Sequence, residues 1–175
     1  MKIIDLSLEI HSGMPVFPGD PEVLVERQQT FDKDGWNMKR LHINSHDGTH
    51  LNVPIHGTKD GRILDSYTLG DFIAKCRIYK SDSDIKKGLG VIFRDQNIDL
   101  KIAKTIVKKR PKFVGLSSRF EFDVDVEKYL LEEGIISFER LANTEKLPDE
   151  FIFYGVPLKI KDGDGSPVRA FAIVD

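Results

Sequence analysis

The chain of 175 residues predicts one α/β domain spanning 1–175, and three observations carry that prediction. Between residues 89 and 138, short apolar runs alternate with segments of helical period, a strand-helix-strand-helix-strand succession. Strand-like stretches flank this run on both sides. No repeat, low-complexity tract or linker divides the sequence.

The first strand is expected near 3–10, followed by a proline-rich loop and strands near 22–29 and 39–45. A histidine-rich segment follows, in which Gly48 permits a turn and Pro54 stiffens the backbone and removes a donor, so it reads as an ordered loop. A short helix is expected over 67–73, then strands near 76–80 and 89–94. Asp99 can cap a helix running to about 109, Pro111 stops it, and 113–116 is apolar enough for a buried strand. A second helix over about 124–133 has an acidic first turn and Gly134 at its end, and leads into the apolar run 135–138. Strands near 151–160 and 168–174, joined by the turn-rich 161–167, close the chain.

Composition excludes several functional classes. Formal charge is −2 and basic residues are dispersed, which argues against a nucleic-acid footprint. The densest basic run, 104–112, contains Ile106 and Val107 and reads as the solvated face of a helix. Cys76 is the single cysteine, so no intrachain disulfide can form; it alternates with apolar residues and reads as core rather than as a nucleophile. No hydrophobic segment is long enough for a signal peptide or a membrane span, and the expected location is cytoplasmic.

Chemistry concentrates in HDGTHLNVPIH, residues 46–56, which holds His46, His50 and His56, three of the five histidines in the chain. Imidazole is the commonest nitrogen ligand for divalent transition metals, and a stiff loop suits a preorganised site. The four-residue spacing of His46 and His50 matches helical metalloprotease motifs, but Gly48, Thr49 and the nearby proline oppose a helix here. Asp162 and Asp164 superficially suggest a calcium loop, but the segment lacks the further oxygen ligands and the closing Glu of an EF-hand. It reads as a tight turn that positions Arg169.

The histidine segment resembles the H-x-G-T-H-x-D-x-P-x-H signature of the cyclase-like metal-dependent hydrolases, which include bacterial kynurenine formamidase and isatin hydrolase. The resemblance extends to Asp5-Leu6-Ser7 and to the proline-rich 14–21 ahead of it, and to 157–160 and 164–170 behind it. It implies a swivelling β/β/α barrel-like fold, a homodimer or homotetramer, and a small-molecule substrate. It further implies one or two divalent ions, Mn or Zn, with His46 and His50 as ligands and His56 as a proton shuttle. Asn52 stands where the family carries an Asp ligand that bridges two ions in binuclear members. A neutral amide oxygen ligates more weakly and bridges poorly. By the same resemblance Glu139 matches a family glutamate ligand, and Glu127 falls where a histidine is expected. A carboxylate there would restore the charge lost at position 52 and favour manganese. Taken alone, Glu127 also fits the acidic first turn of an amphipathic helix.

The expected mechanism is hydrolysis of a small amide, formamide, lactam or lactone by metal-activated water. His46, His50, Asn52, Glu139 and Glu127 form the expected ligand set, and His56 carries the proton. Phe17, Trp36 and Phe120 are aromatic residues available for pocket walls. Three readings remain open: an aryl formamidase acting on N-formylkynurenine, a hydrolase for a cyclic amide or lactone, and a family member that Asn52 has converted to ligand binding.

Overall fold

A computed structural model describes residues 1–174. In chain order its elements are β1 (Lys2–Asp5), β2 (Leu24–Gln29), α1 (Phe31–Asp34), β3 (Met38–His42), β4 (His50–Asn52) and β5 (Ile73–Ile78). They continue with β6 (Gly90–Phe93), α2 (Leu100–Lys109), β7 (Phe113–Ser117), α3 (Val124–Glu132), β8 (Ser137–Leu141), β9 (Glu150–Tyr154), β10 (Gly165–Pro167) and β11 (Phe171–Val174). Among the described residues nine strands form one sheet in the order β1-β11-β9-β5-β6-β7-β8-β4-β10, while β2 and β3 pair only with each other.

The centre of the sheet, β5 through β8, is parallel, as the strand-helix alternation predicts. Both connecting helices start on aspartate caps: Asp99 accepts from Ile102 N at 2.8 Å, and Asp123 from the amides of Asp125 and Val126. Gly134 takes a left-handed conformation just beyond α3, at φ 79°. The remaining strands join antiparallel at either end. The sheet curls so that its ends approach: Leu6, beyond β1, accepts from Ala142 N beside β8 and donates to Ala170 O beside β11.

Side-chain alternation gives the sheet two buried faces. Ile92, Phe113, Phe138, Phe153, Leu51 and Ala172 fill the inside of the curl. Val91, Phe93, Val114 and Leu116 face the other way and pack under Ile102 and Ile106 of α2 and Val126 and Leu130 of α3. Cys76 is buried in the inner cluster, as its sequence context predicts, and burial pushes its thiol pKa up.

The structure differs from expectation mainly at strand ends. The first strand stops at Asp5 and β9 stops at Tyr154, each followed by one last bond in the register of its ladder, Leu6 N to Ala170 O and Gly155 N to Phe72 O; beyond β1, Leu6 O turns to a different partner, the amide of Ala142. The helix expected over 67–73 is a single 3₁₀ turn, Leu69–Phe72, closed by a Thr68–Asp71 capping box. Two short strands, β4 and β10, lie where a loop and a turn were expected.

Candidate functional site

β4 is the last-but-one strand of the sheet, hydrogen-bonded to β8 on one side and to β10 on the other. Its register sets His50 opposite Glu139 and Asn52 opposite Ser137 on β8, and Asn52 opposite Gly165 on β10. Leu51 and Phe138 point into the inner core, so alternation directs His50, Asn52, Ser137 and Glu139 to the opposite face. Over that face lies α3, whose Val126 and Leu130 anchor in the outer core and whose Glu127 reaches the strand side chains. Arg140, directly after Glu139, has φ 54°, and the β7–β8 register shifts there. Such a bulge bends the strand and changes where its neighbours point.

The contacts form one connected network. Asn52, fully buried, directs Nδ2 at Glu127 Oε1 (2.6 Å), Glu139 Oε1 (2.5 Å) and Ser137 Oγ (3.2 Å). Its Oδ1 therefore faces His46 Nδ1, 2.6 Å away, and accepts from it. His46 Nε2 meets Asp164 Oδ2 at 2.9 Å, as an ion pair when the ring carries both protons and as a lone pair open to a cation when it carries one. His50 follows the same logic: Nδ1 donates to Gly48 O at 2.9 Å, leaving Nε2 towards Glu139 Oε1 at 3.4 Å. His56 completes the cluster, its Nδ1 3.6 Å from Asp164 Oδ2 and its ring 3.8 Å from that of His46.

Two glycines make this packing feasible. Gly48 has φ 64°, a left-handed conformation that turns the chain between His46 and His50. A Cβ on Gly165 would lie 2.4 Å from His46 Cε1 and 2.5 Å from Leu51 O, so only glycine lets the imidazole lie against β10.

Burial and charge work against each other in the acid pair. Burial, reinforced by the charge of Glu139, raises the Glu127 pKa. Burial would also raise that of Glu139, but hydrogen bonding and attraction from His50 outweigh it and hold Glu139 below the usual carboxylate range. Asp164 is likewise held down, to about 2, where His46 outweighs partial burial. Partial burial, with repulsion from His46, lowers the His56 pKa.

The donor chemistry fits a divalent cation. His46, His56 and Asp164 each offer one ligand atom, all within 4.8 Å of one another, and a neutral imidazole lone pair facing a carboxylate needs a proton or a cation between them. The backbone bond that fixes the His50 tautomer is the second-sphere arrangement usual for metal-binding histidines.

The residues that the sequence singled out as His46, His50, Asn52, Glu127, Glu139 and His56 thus meet in one place, from segments as distant as 46 and 139. Phe17 and Trp36 are exposed on the loop before β2 and on the β2–β3 hairpin, at 56% and 63%, and Phe120 packs against the outer core. None of the three takes part in the polar contacts of the site. Asp164, weighed in the sequence only as part of a turn, enters the site directly. Its signal was the acceptor-rich DGDG turn, 118 residues from His46.

Comparison with known proteins fits this geometry. Residues 4–166 match the family model described as putative cyclase. The chain belongs to the cyclase family. It is 33% identical to kynurenine formamidase of Erythrobacter litoralis, covering 97% of this chain and 92% of the relative. It is 25% identical to kynurenine formamidase of Salinibacter ruber, with 97% and 96% covered. The crystal structure of isatin hydrolase A from Labrenzia aggregata, bound to benzyl benzoate, superposes with a TM-score of 0.82 at 19% identity, over 99% of this chain and 93% of that one. The barrel-like α/β fold expected from the sequence is therefore the family's. Among the described residues no helix is long and apolar enough to cross a membrane.

Proposed function

We propose that this cyclase-family protein is a metal-dependent hydrolase of a small amide, formamide, lactam or lactone. The observation that carries this reading is the meeting of His46 Nε2 and Asp164 Oδ2 at 2.9 Å, with His56 beside them and a buried acid pair behind. His46 and Asp164 would hold the ion on the open side, backed by His50, Asn52, Glu127 and Glu139. A mixed imidazole and carboxylate set suits manganese or zinc.

A bound divalent ion supplies an activated water and polarises the scissile carbonyl. His56 carries the proton. Its side chain keeps 34% exposure, and its lowered pKa leaves the ring neutral near pH 7, able to accept a proton and pass it to the leaving nitrogen or oxygen. Asp164 fixes the faces of both imidazoles.

The substrate reading favours an aryl formamide first, because relatives at 25% and 33% identity are kynurenine formamidases. A cyclic amide is second, on the likeness to isatin hydrolase. The same proposal includes a homodimer or homotetramer, supported by the exposed apolar side chains of the β2–β3 hairpin, and a cytoplasmic location, supported by the lone buried Cys76.

The test is hydrolysis of aryl formamides, lactams and lactones by protein loaded with manganese or zinc, with metal content measured on the same samples. His46→Ala should lose both ion and turnover. His56→Gln should keep the ion and lose turnover by about 10²–10⁴-fold, the usual contribution of a proton-transferring group. Turnover that survives His46→Ala would sink the proposal.

A further inference from the structure

We infer that Asn52 is a positioning residue rather than a ligand: its amide stands between Glu127 and Glu139 where a second cation would otherwise be needed, and limits the centre to one ion held through His46. This rests on the metal-dependent reading above.

Two buried carboxyl groups directed at one point need a donor or a cation between them. That point is occupied by Asn52 Nδ2, at 2.6 and 2.5 Å from the two Oε1 atoms and 3.2 Å from Ser137 Oγ. Ion-to-oxygen bonds are about 2.0–2.2 Å, so an ion bound to both oxygens would have to displace the amide nitrogen. The side chain has little freedom to make way. Asn52 is completely buried, and its strand is pinned through Ser137 on β8 and Gly165 on β10. Turning the amide over would set Oδ1 against both carboxyl oxygens, which leaves the buried acid pair without its donor.

The other end of the amide acts outward. Oδ1 accepts from His46 Nδ1 at 2.6 Å, which orients the ring and leaves Nε2 as the atom that faces Asp164. One neutral residue thus satisfies the inner acids and prepares the outer donor. An aspartate at this position would reverse the first effect, placing a further acidic group against the Glu127 and Glu139 carboxyls with no donor between them.

The experiment uses the full chain, loaded with manganese or zinc and desalted, with metal per chain measured by mass spectrometry and thermal midpoints taken in EDTA. The native protein should carry one ion, and Asn52→Asp two. Without metal, Asn52→Asp should melt at least about 5 °C below the native protein, as expected for losing buried charge-assisted hydrogen bonds in a chain this size, and metal should restore it. Asn52→Leu covers the case in which the aspartate variant does not fold: it should retain the ion held through His46, bound about 10–100-fold more weakly, the usual effect of losing a second-sphere partner. Two ions in the native protein would overturn the inference. So would loss of the ion in Asn52→Leu to the same degree as in His46→Ala, or an Asn52→Asp variant indistinguishable from native in stoichiometry and midpoint. If the native protein takes up no ion at all, the hydrolase reading fails, while the EDTA midpoints still decide whether the amide clamps the two acids.

Discussion

Glu127 lies on a helix turn that would ordinarily be solvated, yet it faces Glu139 and Asn52 beneath α3. Its raised pKa means that the native state favours the protonated carboxyl. Its contribution to stability is therefore complete below its ordinary value of 4.5 and is lost progressively as pH rises above it. Glu139, with a lowered pKa, works oppositely: its contribution is present above 4.5 and is lost only as pH falls. Between about pH 5 and about pH 8, Glu127 is thus the member of the pair that destabilises the metal-free protein. Glu127→Gln keeps a neutral side chain there and should gain on the native protein by about 1 kcal/mol or more over that interval, given about 1.4 kcal/mol per pKa unit. Melting curves in EDTA across the interval check this, and parallel pH dependences for the two proteins would refute it. The sequence alone could nominate Glu127 only through resemblance, because position 127 fits a capped, acidic first turn equally well. What decides its role is that α3 packs with Val126 and Leu130 inward, which no local pattern specifies. Asp164 was missed for a related reason: a DGDG turn looks the same whether it faces solvent or a histidine 118 residues earlier.

The hairpin formed by β2 and β3 behaves differently from the rest of the fold. Among the described residues its strands pair only with each other, and Leu24, Phe31, Trp36, Met38 and Leu41 are all exposed. A lone two-stranded hairpin is marginal in water, and a run of exposed apolar side chains marks an interaction surface. If the hairpin packs on a second copy, as proposed above, the double variant Trp36→Ser with Leu41→Glu should convert the oligomer to monomer in size-exclusion chromatography with light scattering. Because Trp36 and Leu41 are 63% and 55% exposed, the variant's monomer stability should change by no more than about 0.5 kcal/mol per site. A native protein that elutes as monomer would remove the surface's assigned role. Short strand-like runs bounded by turn residues made both hairpin strands readable, and apolar runs and helix caps did the same for the central strands and helices, since these are local signals. β4 and β10 were unreadable as strands because each has three residues, too short to show a period, and becomes a strand only through partners elsewhere in the chain.

The site also ties the molecule together. Its donors come from the histidine segment, from α3, from β8 and from the turn before β10, and the last of these lies 118 residues from the first. In the unfolded chain these groups are dispersed, so an ion that binds the assembled site and not the dispersed residues must stabilise the fold by mass action. At a free concentration 100 times its dissociation constant, that amounts to about 2.7 kcal/mol, or roughly 5–11 °C in thermal midpoint for a chain of this length. Chelation should therefore lower the midpoint of the native protein by that order, and readdition of manganese or zinc should restore it in a concentration-dependent way. His46→Ala should abolish the response to metal, because it removes the nitrogen that links the inner network to Asp164. The response also separates ligation from simple electrostatics: magnesium at equal concentration screens the same carboxylates but is a poor partner for imidazole, so it should leave the midpoint nearly unchanged. Equal stabilisation by all three ions would mean that the carboxylates attract cations without the histidines holding one, and the hydrolase reading would lose its physical basis.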